Sequence, residues 1–308
     1  MKIVFLDRAT LGDSSLAPLE RLGELTVYDD TAGEVEVVER CKGADVIICN
    51  KTKITASVME ALPGLRLICI AATGMNNVDL KCAAQKNIAV RNVAAYSTDS
   101  VAQVTFALLL SLMHSAAYFD AYVKGGAYAQ SKLFTHYGRS FCELAGKRFG
   151  IIGMGNIGKR VAAIAEAFGA HVAYYSTSGQ NLAAPYLRLP LNELLKTSDV
   201  ASIHAPLNRS TYNLIDYPQL RQMKPTAYLV NVGRGKIVNE AALARALNEN
   251  LIAGAALDVF EHEPINPDNP LLSVSNPEKL MLSPHIGWLS VEARRRLVEK
   301  VAENCRLP

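Results

Sequence analysis

The chain has 308 residues, 50% of them apolar and 20% charged, with 32 lysines and arginines against 29 aspartates and glutamates. At roughly 150 residues per domain this length predicts about two domains, with ample apolar material for buried cores and little room for long disorder. A net charge of +3 argues against a dedicated nucleic-acid binder, which would carry a basic stripe; the one local cluster, Arg294-Arg295-Arg296, reads as the wet face of a terminal helix.

Other classes fall on local features. The six cysteines (Cys41, Cys49, Cys69, Cys82, Cys142 and Cys305) form no C-x-x-C pair. They read as buried small hydrophobes in a reducing compartment, not as a disulfide or zinc framework. The start, Met1-Lys2-Ile3-Val4-Phe5-Leu6-Asp7, meets an acid too soon for a signal-peptide core. The longest apolar stretch, Val104–Met113, ends at His114, well short of the roughly 20 residues of a bilayer span. The expectation is a soluble cytoplasmic protein with no metal and no nucleic-acid or membrane partner.

Along the first hundred residues, short apolar runs alternate with amphipathic stretches. Lys2–Leu6, Asp45–Cys49, Leu67–Ile70 and Ile88–Val90 are predicted strands. Their near-continuous Ile and Val content suits parallel strands covered on both faces. Ser15–Leu22, Gly33–Cys41, Ala56–Leu62 and Leu80–Gln85 are predicted helices, several stopped by Gly23, Gly43 or Pro63-Gly64. The alternation predicts an open parallel α/β sheet.

The texture then changes. Ser97-Thr98-Asp99-Ser100 offers N-cap residues before one long apolar helix, predicted from Val101 to about Phe119. Residues 94–100 are thus a candidate crossover between domains, and Gly125 to Ser140 reads as loop. A second series starts at Lys147. It has predicted strands at Arg148–Ile152, His171–Tyr175, Asp199–His204, Ala227–Val230, Ile252–Leu257 and Leu280–Leu282. Its predicted helices are Ile157–Phe168, Leu191–Lys196, Pro218–Met223 and Glu240–Leu247. A polar loop separates His171–Tyr175 from Leu191, and Pro264–Pro270 is loop by composition. The last helix, from about Ser290, carries Val291, Leu297, Val298 and Val301 on one face. It follows the last strand of the second series and is expected to pack back on the first domain.

Gly153-Met154-Gly155-Asn156-Ile157-Gly158 lies between a predicted strand and a predicted helix, the context that makes G-x-G-x-x-G a strong dinucleotide signal. Gly153 permits the tight turn, Gly155 lets a pyrophosphate approach the backbone, and Gly158 allows close helix–strand packing. The free N–H groups at the helix start form the anion site. The next strand should end in an acid that bonds the adenosine ribose. That position is Ser176, followed by Thr177 and Ser178. Without an acid, discrimination against the extra phosphate of NADP is relaxed, and no arginine stands beside it to clasp that phosphate. The cofactor expectation is therefore NAD(H) or NADP(H).

Three further segments fall at the carboxyl ends of second-series strands, where open α/β sheets bind ligands. They are Asn231-Val232-Gly233-Arg234-Gly235, Asp258-Val259-Phe260-Glu261-His262-Glu263-Pro264 and Ser283-Pro284-His285-Ile286-Gly287. Arg234 is a permanent planar cation suited to a carboxylate. A carboxylate at Glu263 would orient the imidazole of His285, fix its tautomer and stabilise the imidazolium. A cationic histidine beside a carbonyl oxygen is the proton donor that ketone reduction needs.

With these motifs in hand the chain resembles the D-isomer-specific 2-hydroxyacid dehydrogenases over essentially its whole length. The resemblance rests on Gly153–Gly158, His204-Ala205-Pro206-Leu207, Asn231–Gly235, Gly254–Pro264 and Pro284–Gly287, in order and spacing. Ala95–Gln103 and His285-Ile286-Gly287-Trp288 look most like the glycerate dehydrogenase/hydroxypyruvate reductase members. The resemblance implies two open parallel-sheet α/β domains. A flavodoxin-like substrate domain would span 1–98 plus 288–308, and a Rossmann dinucleotide-binding domain 99–287, with the catalytic residues at the seam. It implies interconversion of a small 2-oxo acid and its D-2-hydroxy acid, with hydroxypyruvate/D-glycerate or glyoxylate/glycolate as the expected pairs.

The resemblance also assigns roles. His285 would be the acid/base, Glu263 would hold and charge it, and Arg234 would bind or polarise the substrate. Asp258 would meet the nicotinamide carboxamide. His204, Ala205, Pro206, Asn231, Val232, Gly233 and Gly287 would join the Gly153–Gly158 turn and Ser176 around the cofactor. Ala72–Asp79, with Gly74 and Met75, resembles the loop whose N–H groups hold the substrate carboxylate, and Lys51 and Trp288 are further substrate contacts. The helix near 101–119 implies a homodimer. Family members continue a little beyond this chain's end, which would weaken docking of the last helix. Two alternatives stand beside this reading: a phosphoglycerate dehydrogenase lacking a regulatory domain, and a dinucleotide-sensing, corepressor-like binding protein.

Overall fold

The computed structural model describes residues 1–180 and 185–306. Residues 181–184, in the polar loop expected before Leu191, and Leu307 and Pro308 lie outside the described residues. The chain divides into two compact units, Met1–Ser97 with Trp288 to the chain end, and Thr98–Gly287.

The first unit holds strands β1 (Lys2–Phe5), β2 (Glu24–Val27), β3 (Val46–Cys49), β4 (Leu67–Ile70) and β5 (Ala89–Asn92). They form one five-stranded sheet in the order β2-β1-β3-β4-β5, all pairs parallel, which is the flavodoxin-like order. Helices α1 (Ala17–Glu20), α2 (Gly33–Arg40), α3 (Ala56–Ala61) and α4 (Leu80–Gln85) lie between the strands. β3 and β4 are buried along their whole length. Their alternate residues feed two apolar clusters. Val46, Ile48, Leu67 and Cys69 pack with Leu19, Leu297 and Val301, while Ile47, Cys49, Ile68 and Ile70 pack with Val37, Val58 and Met59. Burial on both faces is why these strands read as unbroken hydrophobic runs.

β2 escaped the sequence pattern because it is an edge strand with half-exposed residues and a polar Glu24 and Thr26. The last helix (Val291–Asn304) belongs to this unit and buries Ala293, Leu297, Val298, Val301 and Ala302. Ser290 accepts from the Ala293 N–H, and the Arg91 guanidinium donates to the carbonyls of Asn304 at 2.7 Å and Arg306 at 2.9 Å. The arginine cluster on this helix is only partly a wet face. Arg294 reaches the Leu11 carbonyl and the Asp13 carboxylate, and Arg296 donates to the Tyr96 carbonyl. Arg295 alone of the three is exposed.

The second unit opens with α5 (Thr98–Met113) and α6 (Ala116–Lys124). The single long helix expected here breaks at Ser115, whose φ of 50° is left-handed, and the two segments diverge by 63°. α5 is apolar because its own unit covers it: Val101, Phe106, Leu109 and Leu112 lie in a cluster with Phe149, Ile151 and Val161. By contrast α6 buries none of its residues. Among the described residues no single helix is long and apolar enough to cross a membrane.

After a loop follow β6 (Arg148–Ile152), α7 (Asn156–Ala167), β7 (His171–Tyr175), β8 (Leu187–Arg188) and α8 (Leu191–Thr197). Then come β9 (Val200–Ile203), α9 (Tyr217–Leu220), β10 (Tyr228–Asn231), α10 (Glu240–Asn248), β11 (Gly254–Leu257) and β12 (Leu280–Leu282), with α11 (Val291–Asn304) closing the first unit. The seven strands run β12-β11-β10-β9-β6-β7-β8, again all parallel. The chain leaves β6 toward β7 and later returns to its other side as β9. That reversal is the switch point at which doubly wound sheets bind their ligands. β8 is a second element the pattern did not reveal, since two exposed residues on an edge carry no periodicity.

Candidate active site

The candidate residues of the second unit gather at the carboxyl ends of its strands, in two groups. The first lies beyond β6, β7 and β9. Gly153, directly after β6, has φ 98°, and a Cβ there would sit 2.9 Å from the Ala205 nitrogen. Gly158 lies in the first turn of α7, and a Cβ on it would collide with the Gly153 carbonyl. Gly155, the residue before α7, has open space where a Cβ would be. The tight, close-packed and open glycines of a dinucleotide turn are thus all present.

The N–H groups of Met154, Gly155, Asn156, Ile157 and Gly158 find no acceptor among the described residues; the first α7 bond is Lys159 to Gly155. They form the unsatisfied donor cluster that favours an anion at a helix start. Met154 itself is fully buried beneath this turn. Two side-chain atoms nearby in the fold are likewise orphaned. Ser176, just past β7, is buried and its Oγ has no partner. His204, just past β9, contacts the Ser202 Oγ through Nε2 at 2.9 Å, while its buried Nδ1 has none. Burial pushes the His204 imidazole down to about 3, so the ring is neutral and offers its nitrogens for hydrogen bonding. Buried polar groups without partners are rare in folded proteins. Together with the open Gly155, they fit a bound dinucleotide. Ala205 is buried and Pro206 exposed in the same loop, and the Pro206 carbonyl accepts from the Thr211 hydroxyl.

The second group lies beyond β10, β11 and β12, and its polar groups are closed upon one another. Asn231 ends β10. Its Oδ1 accepts from the Gly233 N–H at 3.0 Å and its Nδ2 donates to the Arg234 carbonyl at 2.9 Å, clamping the turn that carries Arg234. Val232 is buried, and a Cβ on Gly233 would lie 3.0 Å from the Ala205 carbonyl. Arg234 is half-buried and donates from Nη1 to the Gly233 carbonyl at 2.7 Å. Gly235 lies so close to the Phe260 backbone that no side chain fits there, which brings the Arg234 turn against the segment leading to Glu263.

Glu263 accepts from the Phe260 N–H at 3.1 Å through Oε1, and its Oε2 lies 2.7 Å from His285 Nδ1. A carboxylate on Nδ1 makes that nitrogen the donor and leaves Nε2 for proton exchange with a ligand. The peptide bond between Glu263 and Pro264 is cis. His285 itself has φ 54°, a left-handed conformation. Asp258 directly follows β11 and is 1% exposed. It accepts from Ser283 Oγ at 2.6 Å, the Ile286 N–H at 2.8 Å and the Gly287 N–H at 2.7 Å. The Gly287 carbonyl in turn accepts from Ser100 Oγ of α5. No cluster of three or more metal-ligating side chains occurs among the described residues.

The candidates in the first unit form their own set. The N–H groups of Ala72 through Asn77 donate to no described acceptor, so Gly74 and Met75 lie in a loop with free donors. Lys51 has an exposed side chain, and its N–H donates to Asp7 Oδ2 at 2.6 Å. The same carboxylate receives the N–H groups of Asn50 and Thr52 and the Thr52 hydroxyl. Trp288 is partly buried and packs against the apolar cluster that includes Leu297. The motifs pointed to neither Asp7 nor Ser283. A lone acid after a predicted strand and a lone serine before a proline are the only signals either one leaves.

The D-isomer specific 2-hydroxyacid dehydrogenase NAD-binding domain profile matches residues 106–287. Among curated relatives, a putative 2-hydroxyacid dehydrogenase of Haemophilus influenzae is 37% identical, covering 99% of this chain and 96% of its own. A glyoxylate reductase of Korarchaeum cryptofilum is 39% identical over 98% of this chain and 91% of its own. A hydroxypyruvate reductase of Blautia hydrogenotrophica is 38% identical over 99% and 95%. Among solved structures, an acyclic imino acid reductase in complex with NADPH and D-Arg has a TM-score of 0.87 at 31% identity, covering 97% of this chain and 94% of its own. An NADPH-dependent glyoxylate/hydroxypyruvate reductase of Sinorhizobium meliloti, in complex with NADP and malonate, has a TM-score of 0.83 at 29% identity, covering 98% and 91%.

Proposed function

The chain belongs to the D-isomer specific 2-hydroxyacid dehydrogenase family, and from that premise we propose that it reduces hydroxypyruvate or glyoxylate to the corresponding 2-hydroxy acid. It is an oxidoreductase of the CH–OH group that uses NAD(H) or NADP(H). When bound, the reduced nicotinamide supplies the hydrogen and electron pair that the carbonyl carbon accepts. His285 donates the matching proton from Nε2 to the carbonyl oxygen, so the C=O becomes CH–OH and the imidazole is left neutral. Glu263, on Nδ1, holds the ring in the orientation and tautomer that make this possible. Arg234 binds the acid's carboxylate or polarises its carbonyl with its fixed planar fork.

The observation that carries this reading is the 2.7 Å contact between Glu263 and His285. A protein that only sensed dinucleotides would have no use for an oriented acid/base pair. Gly153, Met154, Gly155, Asn156, Ile157, Gly158, Ser176, His204, Ala205, Pro206, Asn231, Val232, Gly233, Asp258 and Gly287 are assigned to the cofactor. Lys51, Gly74, Met75, Arg234 and Trp288 are assigned to the acid. The test is His285→Ala, in which turnover should fall by about 10²–10⁴-fold, the usual worth of a positioned acid/base. Cofactor affinity by calorimetry should stay within about threefold. Retention of most turnover would remove His285 from the chemistry.

We also propose that the protein acts as a homodimer in the reducing cytoplasm, in keeping with six free thiols. Burial of α5 inside its own unit shifts the basis of the dimer from that helix to the apolar residues around it. Phe134 is 89% and Tyr137 80% exposed, with Val123, Leu133 and Phe141 also exposed. A second copy would cover these residues, which all fall within one stretch of chain, 123–141. Solution sizing should give a dimer, and Phe134→Glu with Tyr137→Glu should yield monomers; a wild-type monomer contradicts the proposal.

A further inference from the structure

We infer that Asp7 is a positioning residue for binding of the 2-oxo acid, acting through the two first-unit loops that receive it. This rests on the reading of Lys51 and the Gly74–Met75 loop as contacts of the acid. In the first unit the chain leaves β1 for β2 and returns on the other side of β1 as β3, so the switch point of this sheet lies between β1 and β3. Asp7 stands there, two residues past the end of β1. It is 3% exposed, and its carboxylate accepts from three consecutive amides beyond β3. The Asn50 nitrogen lies 2.8 Å from Oδ1 and 3.0 Å from Oδ2. The Lys51 and Thr52 nitrogens lie 2.6 Å and 2.8 Å from Oδ2, and the Thr52 hydroxyl donates to the same oxygen at 2.9 Å.

Successive N–H groups converging on one point form an anion nest, and at this switch point the nest is filled by the chain's own carboxylate. The donors left for an external acid belong to the adjoining strand end, beyond β4, where the N–H groups of Ala72 through Asn77 have no acceptor among the described residues. The two loops are fastened together. Asn77 Nδ2 donates to the Thr52 carbonyl at 2.9 Å, and the Asn77 carbonyl accepts from the Ile54 N–H at 2.8 Å. The other end of the donor loop is tied beside β5: Asn92 Nδ2 donates to the Thr73 carbonyl at 2.6 Å, and the Thr73 hydroxyl to the Val93 carbonyl at 2.9 Å. The donor loop therefore hangs between the end of β5 and the segment that Asp7 holds. Without the carboxylate, the amides of Asn50, Lys51 and Thr52 lose their acceptor and must turn to find another. That displaces Lys51 directly, and the free donors through Asn77. A carboxylate that only filled the core would need neither three consecutive amides nor the link onward to Asn77.

The test measures kcat, KM for hydroxypyruvate and for glyoxylate, and dinucleotide affinity by calorimetry in Asp7→Asn. An asparagine has one acceptor oxygen, and its NH₂ then faces an N–H donor, so the nest cannot close. The expected result is KM up by about tenfold or more, with kcat and dinucleotide affinity within about threefold, the pattern of lost substrate binding. Asn77→Ala leaves the Asp7 nest whole and cuts only the link to the donor loop. It should raise KM in the same direction, and it keeps the test open if Asp7→Asn does not fold. Met59→Ala, a core truncation in the same unit, is the control for general destabilisation; it should lower the melting temperature and leave KM unchanged. An unchanged KM in the folded variants, or an equal rise in Met59→Ala, would overturn the inference and leave Asp7 a structural residue only. Failure of the reading beneath it looks different: the wild type would then turn over neither acid, and the inference would fall with it.

Discussion

One edge of the seven-stranded sheet is finished in two ways. At the end of β10 Asn231 is hydrogen-bonded to the turn it introduces, and just past β11 Asp258 is hydrogen-bonded to Ser283 and the backbone that follows β12. At the ends of β6, β7 and β9, five backbone N–H groups, Ser176 Oγ and His204 Nδ1 have no acceptor or donor among the described residues. The two halves meet where β9 pairs with β10. The difference separates two tasks. Chemistry needs side chains held in place before substrate arrives, so its polar groups are spent on positioning. Binding a large polar cofactor needs donors and acceptors held in reserve, and those are the ones left unspent.

Changes in the receptive half should leave the acid/base pair intact. The largest effect expected in the binding half is from Gly158→Ala. Its Cβ would strike the Gly153 carbonyl, forcing helix and strand apart at the dinucleotide turn. Affinity for NADH or NADPH should drop by about 10–100-fold, with a lower melting temperature. The Glu263–His285 contact should persist, which the imidazole resonances of the folded variant would report. An unaltered dinucleotide affinity would show that the turn is only structural.

A smaller effect is expected from Ser176→Asp. A carboxylate at the end of β7 repels a 2′-phosphate and bonds a 2′-hydroxyl. Affinity for NADPH should fall by about tenfold or more while that for NADH changes by less than about threefold. Equal loss of both would place Ser176 away from the ribose.

The smallest effect concerns His204. Its folded value of about 3 lies below the ordinary 6.5, so the unfolded chain takes up a proton that the folded chain does not. That contribution to stability is present above about pH 6.5 and is lost as the pH falls toward 3. Urea unfolding at pH 7, 6 and 5 should show a steeper decline for the wild type than for His204→Gln, by at most about 1.4 kcal/mol per pH unit. Parallel declines would mean that the ring titrates in the folded protein.

Much of this division was legible in the amino-acid sequence, though unevenly. The dinucleotide turn and the spacing of Arg234, Glu263 and His285 stood out because they are chemistry-bearing residues at strand ends. The buried strands were plain because unbroken Ile and Val runs have few other uses. Edge strands β2 and β8 were missed, since half-exposed strands need not be apolar. The break at Ser115 was hidden because an apolar run looks the same on either side of a left-handed residue. The clamps were the deepest omission. Nothing in the order of residues shows that Asp258 turns toward the Ser283–Gly287 backbone, or that Arg294 and Arg296 fasten a helix instead of facing water. Those facts depend on which groups compete for donors once the chain is packed.

The central claim is that the prepared half of the edge acts on small 2-oxo acids using the cofactor held by the receptive half. Its most direct test is a matrix of hydroxypyruvate, glyoxylate, pyruvate and 3-phosphohydroxypyruvate, each assayed with NADH and with NADPH. The account predicts rapid oxidation of at least one reduced cofactor with hydroxypyruvate or glyoxylate, and slower turnover of the other acids. Binding of either dinucleotide with no turnover of any acid, or a clear preference for the phosphorylated acid, would contradict it.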